Sequence, residues 1–423
     1  MGKSWISTVR SRSPRTAAVL GVTLLACALL ISRRVDAFTN AQFYAEDGSK
    51  WFANAYADGP LVALDLSYNG YFQLVSRLGP VAAAPFGIRN APLVYNIVGL
   101  LVQVAPVAYL LSSRFDSVVP SFRARLVVCA VYVLMPSTEL NVDITTAQFH
   151  LLVLAFLVIV AADPKRWYWI AFDVAVVLLC GLSGPFADIL LPVAALWFLV
   201  RRRAFTLVIC FALAVTVPIQ TYAYLTSTRM HEALGASLHN LLLIVCNRII
   251  LAGLFAEEGG THAFLAGTSN GMLLRGVICA LALLIVAYAI WRAPVELKLF
   301  GLTALGVAAS GLAAPLVSNT GSAWAIMTSS RAGERYFLLA QVAWVIIVLW
   351  AATRLPRLWM ERSALAVCAV TFASGLITAW PYPPFQNDHW AQEARTITTA
   401  KPGTRLVLPI PPGGGWVIDI TAK

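Results

Sequence analysis

Charge is scarce in this chain: Lys, Arg, Asp and Glu together make up 12% of its 423 residues, about half the share of a soluble domain. So few ionised groups cannot cover a water-exposed globular surface, and a soluble fold is excluded. No GxxxxGK[ST] phosphate loop is present, which removes P-loop nucleotide hydrolysis. The seven cysteines, Cys27, Cys129, Cys180, Cys210, Cys246, Cys279 and Cys368, sit singly in apolar stretches with no CxxC spacing. They read as small buried hydrophobes, with neither a disulfide framework nor a metal site. There is no repeat of 20–50 residues and no low-complexity tract, so solenoids and internal-repeat transporters gain no support. A net charge of +11 comes without a basic run interleaved with aromatics, and nucleic acid is not an expected partner.

What is abundant is apolar sequence. Hydrophobic residues make up 59% of the chain, and mean hydropathy is +0.75. Apolar runs of roughly 18–22 residues recur, the length that crosses a bilayer as a helix. The expected fold class is an all-α polytopic membrane protein of about 11 transmembrane helices, with external interfacial helices and a short external carboxyl-terminal tail. The first span, Thr16 to Ile31, follows Lys3, Arg10, Arg12 and Arg15 and reads as an uncleaved anchor. Further spans fall near 92–112, 126–137, 148–162, 168–182, 185–200, 204–225, 272–291, 298–317, 336–353 and 363–380.

Charge orients these spans. Alternate gaps hold Arg114, Arg123, Arg125, Lys165, Arg166, Arg201, Arg202, Arg203, Arg292, Lys298, Arg354, Arg357 and Arg362, against few acids. The opposite gaps carry most of the carboxylates. The positive-inside rule therefore places the amino terminus in the cytoplasm and the carboxyl terminus outside, in an inner (plasma) membrane. Residues 1–380 form the transmembrane domain. Within it, 32–91 is a first external loop and 226–271 a second, which includes His231, Glu232, Glu257, Glu258 and His262. Residues 381–423 are an external tail, packed on the outer loops, with short extended segments about Pro411 to Gly415. Tyr71–Gly87 reads as an interfacial or re-entrant helix, and Asn240–Phe255 as a helix lying in the outer interface.

Chemistry is sought in those outer loops. Glu46 and Asp47 are adjacent near the first span, followed by Trp51, Phe52 and Tyr56. A carboxylate there has the chemistry of a general base for a hydroxyl nucleophile; the plainer alternative is that Asp47 caps a helix starting near Ser49. Glu139 and Asp143, with Gln148 and His150 close behind, form a second polar cluster. Asp173 and Asp188 fall inside spans, where a charge is costly. Asp188 is expected to line an outer cavity and Asp173 to pair within the bundle. His239 and His389 read as ordinary loop histidines.

Five short pieces, Ala45-Glu46-Asp47-Gly48, Tyr68-Asn69-Gly70-Tyr71-Phe72, Met135-Pro136-Ser137-Thr138-Glu139, Ser183-Gly184-Pro185-Phe186 and Glu334-Arg335-Tyr336-Phe337, lie on a chain whose layout resembles the GT-C superfamily of membrane glycosyltransferases, and they are similar to a bacterial subset of it. The resemblance covers most of the chain in layout. It implies a polyprenyl-phosphate-linked sugar donor and inverting transfer to an acceptor hydroxyl on a glycan, lipid or protein, outside the membrane, in cell-envelope assembly. By that resemblance Asp47 is the general base and Glu46 its partner or the base itself. Charge developing on the leaving phosphate calls for cations, and Arg331 and Arg335 at i, i+4, with Tyr336, are the expected phosphate-binding residues. Glu139, Asp143, His150 and Asp188 remain for cavity or acceptor. A divalent cation (Mg or Mn) is an optional cofactor in the superfamily, but no HxxH or HxE spacing marks a metal site here. A transporter or lipid flippase, or a noncatalytic envelope scaffold, stands as the alternative.

Overall fold

The computed structural model describes residues 14–227, 233–256, 270–317, 321–329 and 331–423. Lys3, Arg10, Arg12, His231, Glu232, Glu257, Glu258 and His262 lie outside the described residues. The chain is an all-α, multi-pass membrane protein whose one sheet, among the described residues, is a carboxyl-terminal hairpin.

Among the described residues, eight helices are long and apolar enough to cross a membrane: Arg15–Arg33, Ile88–Leu111, Ala204–Leu225, Leu238–Phe255, Gly271–Arg292, Val295–Ala313, Glu334–Ala352 and Leu358–Thr378. This differs from the sequence reading in two ways. The segments near 126–137, 148–162, 168–182 and 185–200 become helices of 13, 14, 15 and 16 residues. At 1.5 Å per residue these reach only about 20–24 Å, short of a hydrocarbon core of about 30 Å. Conversely, Asn240–Phe255 does not lie alone at the surface. It belongs to one helical run, Leu238–Phe255, started by the Ser237 side chain accepting from the Asn240 amide. That run is fixed to Glu334–Ala352 by Gln341 and Trp344, which donate to the Arg248 and Ile250 carbonyls at 2.7 and 3.2 Å.

Side-chain burial sorts lipid from protein. Leu273, Trp291 and Ile377 stand out from the bundle, as expected for residues whose solvent is hydrocarbon. The helix Ala147–Val160 is the opposite case, buried along its whole length. It is the central post around which Ala91–Leu111, Trp167–Gly181 and Phe186–Arg201 pack.

Ion pairs separate the two ends of the bundle. At one end Arg15 and Arg125 share Asp116, Arg201 meets Glu296, and Arg203 approaches Asp163. Asp173 pairs there with Arg114 at 2.8 Å and accepts from the Tyr109 hydroxyl. The other end is richer in acids and carries a second hydrophobic core. Phe43, Trp51, Phe52, Tyr95 and Ile144 pack there against Trp390 and Ile397 of the helix Trp390–Thr399, and against Ile410, Ile418 and Ile420 of the tail. Strands β1 (Arg405–Pro409) and β2 (Val417–Thr421) pair antiparallel, with Leu408 opposite Ile418. Gly48 makes the docking possible, since a Cβ there would meet Ile410, Phe43 and Ile418 at 2.9–3.0 Å.

Candidate functional site

Two acidic segments meet at this end, and each is entered through a left-handed residue. Ala45 has φ 45° just before Glu46, and Val142 has φ 60° just before Asp143. A β-branched residue in that region is strained by about 1–3 kcal/mol, and such strain concentrates where a site dictates the backbone. Both turns are held in place. The Ala45 amide donates to the Pro411 carbonyl at 2.7 Å, and the Val142 amide donates to Gln103 Oε1 at 2.9 Å.

Asp47 opens a wide, π-type helix, Asp47–Phe52, and is 2% exposed. Its side chain does not cap that helix, contrary to the capping alternative. Instead Oδ1 accepts from the Thr145 hydroxyl at 2.5 Å, and Thr145 Oγ1 accepts from Trp51 Nε1 at 2.7 Å. Asp143 accepts from the Thr145 amide at 2.9 Å, and its Oδ2 lies 3.1 Å from Thr146 Oγ1. Burial raises both carboxyls above the usual carboxylate range. The charge of Asp143 raises Asp47 further, while the Thr145 hydrogen bond draws it back. Burial also raises Glu46, and the positive charges of Arg335 and Lys50 oppose this.

Of the cation set, Arg335 reaches the cluster but is already engaged. Its guanidinium pairs with Glu139 and donates to the Leu316 carbonyl, and its backbone amide donates to Glu139 Oε2 at 3.0 Å. Glu334 completes a reciprocal clasp by accepting from Ser137 Oγ, Thr138 Oγ1 and the Glu139 amide at 3.1–3.2 Å. Arg331 is not one helical turn before Arg335 on a common face. The helix begins at Glu334, Gly333 turns the chain with φ 72°, and Arg331 is exposed. Tyr336 is buried, its hydroxyl accepting from the Leu316 amide at 3.0 Å.

Two further residues fall away from the cleft. The ring nitrogens of His150 are taken by the Tyr132 hydroxyl at 2.7 Å and the Leu140 carbonyl at 3.0 Å. Asp188 is exposed in the first turn of Phe186–Arg201. The cleft itself is lined by Arg34, Tyr44, Asp47, Asn96, Asp143 and Phe385 and has room for roughly one water molecule. Phe385 closes it, stacked on Tyr44 at 4.6 Å and under the Arg34 guanidinium at 4.0 Å.

Arg77 gains the most weight from the structure. It is 1% exposed in the helix Leu74–Ala83, with its guanidinium 4.9 Å from the Trp51 ring. Among the described residues, Nε and Nη1 have no hydrogen-bond partner, and burial pulls its pKa down to about 10. In sequence it is a lone arginine in a short apolar stretch, which snorkelling explains equally well. Thr145 gives no sequence signal as a partner of Asp47, nor does Trp51 as a partner of Thr145. Among the described residues no group of three or more His, Cys, Asp or Glu side chains is placed to hold a metal ion.

The chain matches no family model, no curated protein and no solved structure.

Proposed function

We propose that this protein is a GT-C-type membrane glycosyltransferase, with about 11 passes when the four short helices are counted and Leu238–Phe255 is not, that moves a sugar from a polyprenyl-phosphate donor to an acceptor hydroxyl. The positive-inside rule puts the end with Arg15, Arg114, Arg125 and Arg201 in the cytoplasm, so the acidic end works outside, on the plasma membrane's outer face. One observation carries the reading. A buried carboxylate pair, Asp47 and Asp143, with raised proton affinity, is linked through Thr145 and Trp51 to a buried cation, Arg77, on the Trp51 ring at one end of an apolar bundle.

The chemistry divides among these residues as follows. Thr145 holds Asp47 Oδ1, and Oδ2 takes the proton from the acceptor hydroxyl. The hydroxyl oxygen attacks the anomeric carbon from the face opposite the phosphate, and the bond to the phosphate oxygen breaks with its electron pair leaving on that oxygen. Arg77 on the Trp51 ring, with Lys50 on the adjoining Tyr68 ring, neutralises the charge that develops there. Arg335 supports the site by fixing Glu139. Entry of a donor requires the Tyr44–Phe385 stack to part. A proton-relaying transporter is the weaker reading, because Asp173, the buried intramembrane carboxylate, is committed to Arg114 and Tyr109.

The test is transfer of radiolabelled sugar in proteoliposomes from a panel of polyprenyl-phosphate sugars to glycan, lipid and peptide acceptors. Labelled product from at least one donor is expected. Failure across the whole panel, with the protein correctly inserted, would overturn the enzyme reading.

A further inference from the structure

We infer that the buried pair carries one proton and that the loop Asp143–Thr146 places it on Asp143, leaving Asp47 as the anion. An indole N–H only donates, so Thr145 Oγ1 receives the Trp51 proton at 2.7 Å, and the hydroxyl's own proton points to Asp47 Oδ1. That contact is 2.5 Å long, within the range of about 2.5–2.7 Å typical of a hydroxyl donating to an ionised carboxylate. Asp47 Oδ1 therefore meets a donor, and Oδ2 is left on the cleft that Asp47 lines.

The surroundings of Asp143 demand the reverse. Thr146 Oγ1 has a single proton and faces two oxygens, the Glu139 carbonyl at 3.0 Å and Asp143 Oδ2 at 3.1 Å. A carbonyl oxygen only accepts, so the Thr146 proton satisfies Glu139. Asp143 Oδ2 then makes a hydrogen bond only if it carries a proton and donates to Thr146. With Asp143 ionised, one buried acceptor goes unpaired, at a cost that buried sites avoid. The Thr145 amide on Oδ1 is compatible with either form.

The remaining charged and titratable neighbours bear on the count of one proton rather than on its placement. Glu46 faces both aspartates and disfavours a second negative charge, and Tyr44 lies against Asp143 and Tyr95 against Asp47. Arg34 is the one cation that favours an ionised Asp143, but its charge is shared with Asp36, Tyr44 and Tyr382. The backbone strain at Val142 belongs to the same device, because it aims Asp143 at Thr146. Ser76 helps to hold the loop by donating to the Ile144 carbonyl at 3.0 Å. Asp143, Thr145, Thr146 and Trp51 are thus positioning residues. Their functional meaning, an ionised Asp47 ready to accept a proton, rests on the glycosyltransferase reading; the proton placement itself does not.

The experiment is infrared difference spectroscopy on the reconstituted full chain at neutral pH, following the C=O stretch of a protonated carboxylic acid. Asp143→Asn abolishes the band, and Asp47→Asn retains it. Thr146→Val shifts the band to higher frequency by removing its acceptor, whereas Thr145→Val leaves it in place; this second pair serves if an aspartate variant does not fold. A band lost in Asp47→Asn but kept in Asp143→Asn overturns the placement, and so does a wild type with no such band. The readout needs no turnover, so it fails or succeeds independently of whether any donor is transferred.

Discussion

Glu139 holds Arg335 twice, accepting from its backbone amide at 3.0 Å and pairing with its guanidinium. The two residues are far apart in sequence and clamp the turn after the helix Phe122–Leu134 to the start of Glu334–Ala352. Both side chains are about four-fifths buried, so the pair is screened less than a surface one. Glu139→Ala and Arg335→Ala are each expected to lower stability by about 1–3 kcal/mol. The double variant should cost less than their sum, because the same interaction is lost once. Thermal unfolding in detergent measures all three; strict additivity would show that the clasp contributes nothing.

Arg77 is expected to separate stability from function. Its unpaired buried nitrogens are a cost to the folded state, so Arg77→Met should keep or raise the melting temperature. The same change should weaken donor affinity by roughly 10-fold, about 1.4 kcal/mol. Donor binding and thermal unfolding on one preparation check both parts. A fall in stability with unchanged donor affinity would make Arg77 structural.

The aspartate pair sets the sign of a pH dependence. Native Asp47 and Asp143 have raised proton affinity, whereas an unfolded carboxyl titrates near about 4. The folded state therefore binds more protons. Their contribution to stability is full below about pH 4 and is lost as pH rises through the raised native values. Between about pH 5 and 8 the melting temperature should fall more steeply in wild type than in Asp143→Asn, which removes one titrating partner. Equal slopes would contradict the coupling.

Gly48 tests the link between tail and acidic helix. A methyl group there meets Ile410, Phe43 and Ile418, so Gly48→Ala should cost about 1–3 kcal/mol through overpacking. Limited proteolysis should then cut the segment 400–423 faster than in wild type. Unchanged protection would mean that the tail docks without this contact.

Hydropathy made the bundle legible, because a bilayer demands long apolar helices and every such run is local in sequence. It could not tell that Leu238–Phe255 is packed by Gln341 and Trp344, nor that the segments near 126–200 would form helices too short to span by length alone. The acids Glu46, Asp47, Glu139 and Asp143 stood out because charge is rare here. What joins them did not, since Thr145 meets Asp47 across 98 positions and a threonine carries no signature of that role. Arg331 misled for a local reason: i, i+4 spacing implies a shared face only inside a helix, and Gly333 ends that continuity. His150 misled because its partners, Tyr132 and Leu140, lie in the bundle rather than in the cleft.

The most direct measurement of the central claim is the sugar-transfer rate of Asp47→Asn against wild type in proteoliposomes, at matched insertion and with donor affinity measured alongside. Loss of the base is expected to slow transfer by roughly 10²–10⁴-fold while donor affinity stays within about twofold, since Asp47 acts on the acceptor's proton rather than on the phosphate. Transfer at close to the wild-type rate would contradict the assignment of Asp47 as the base.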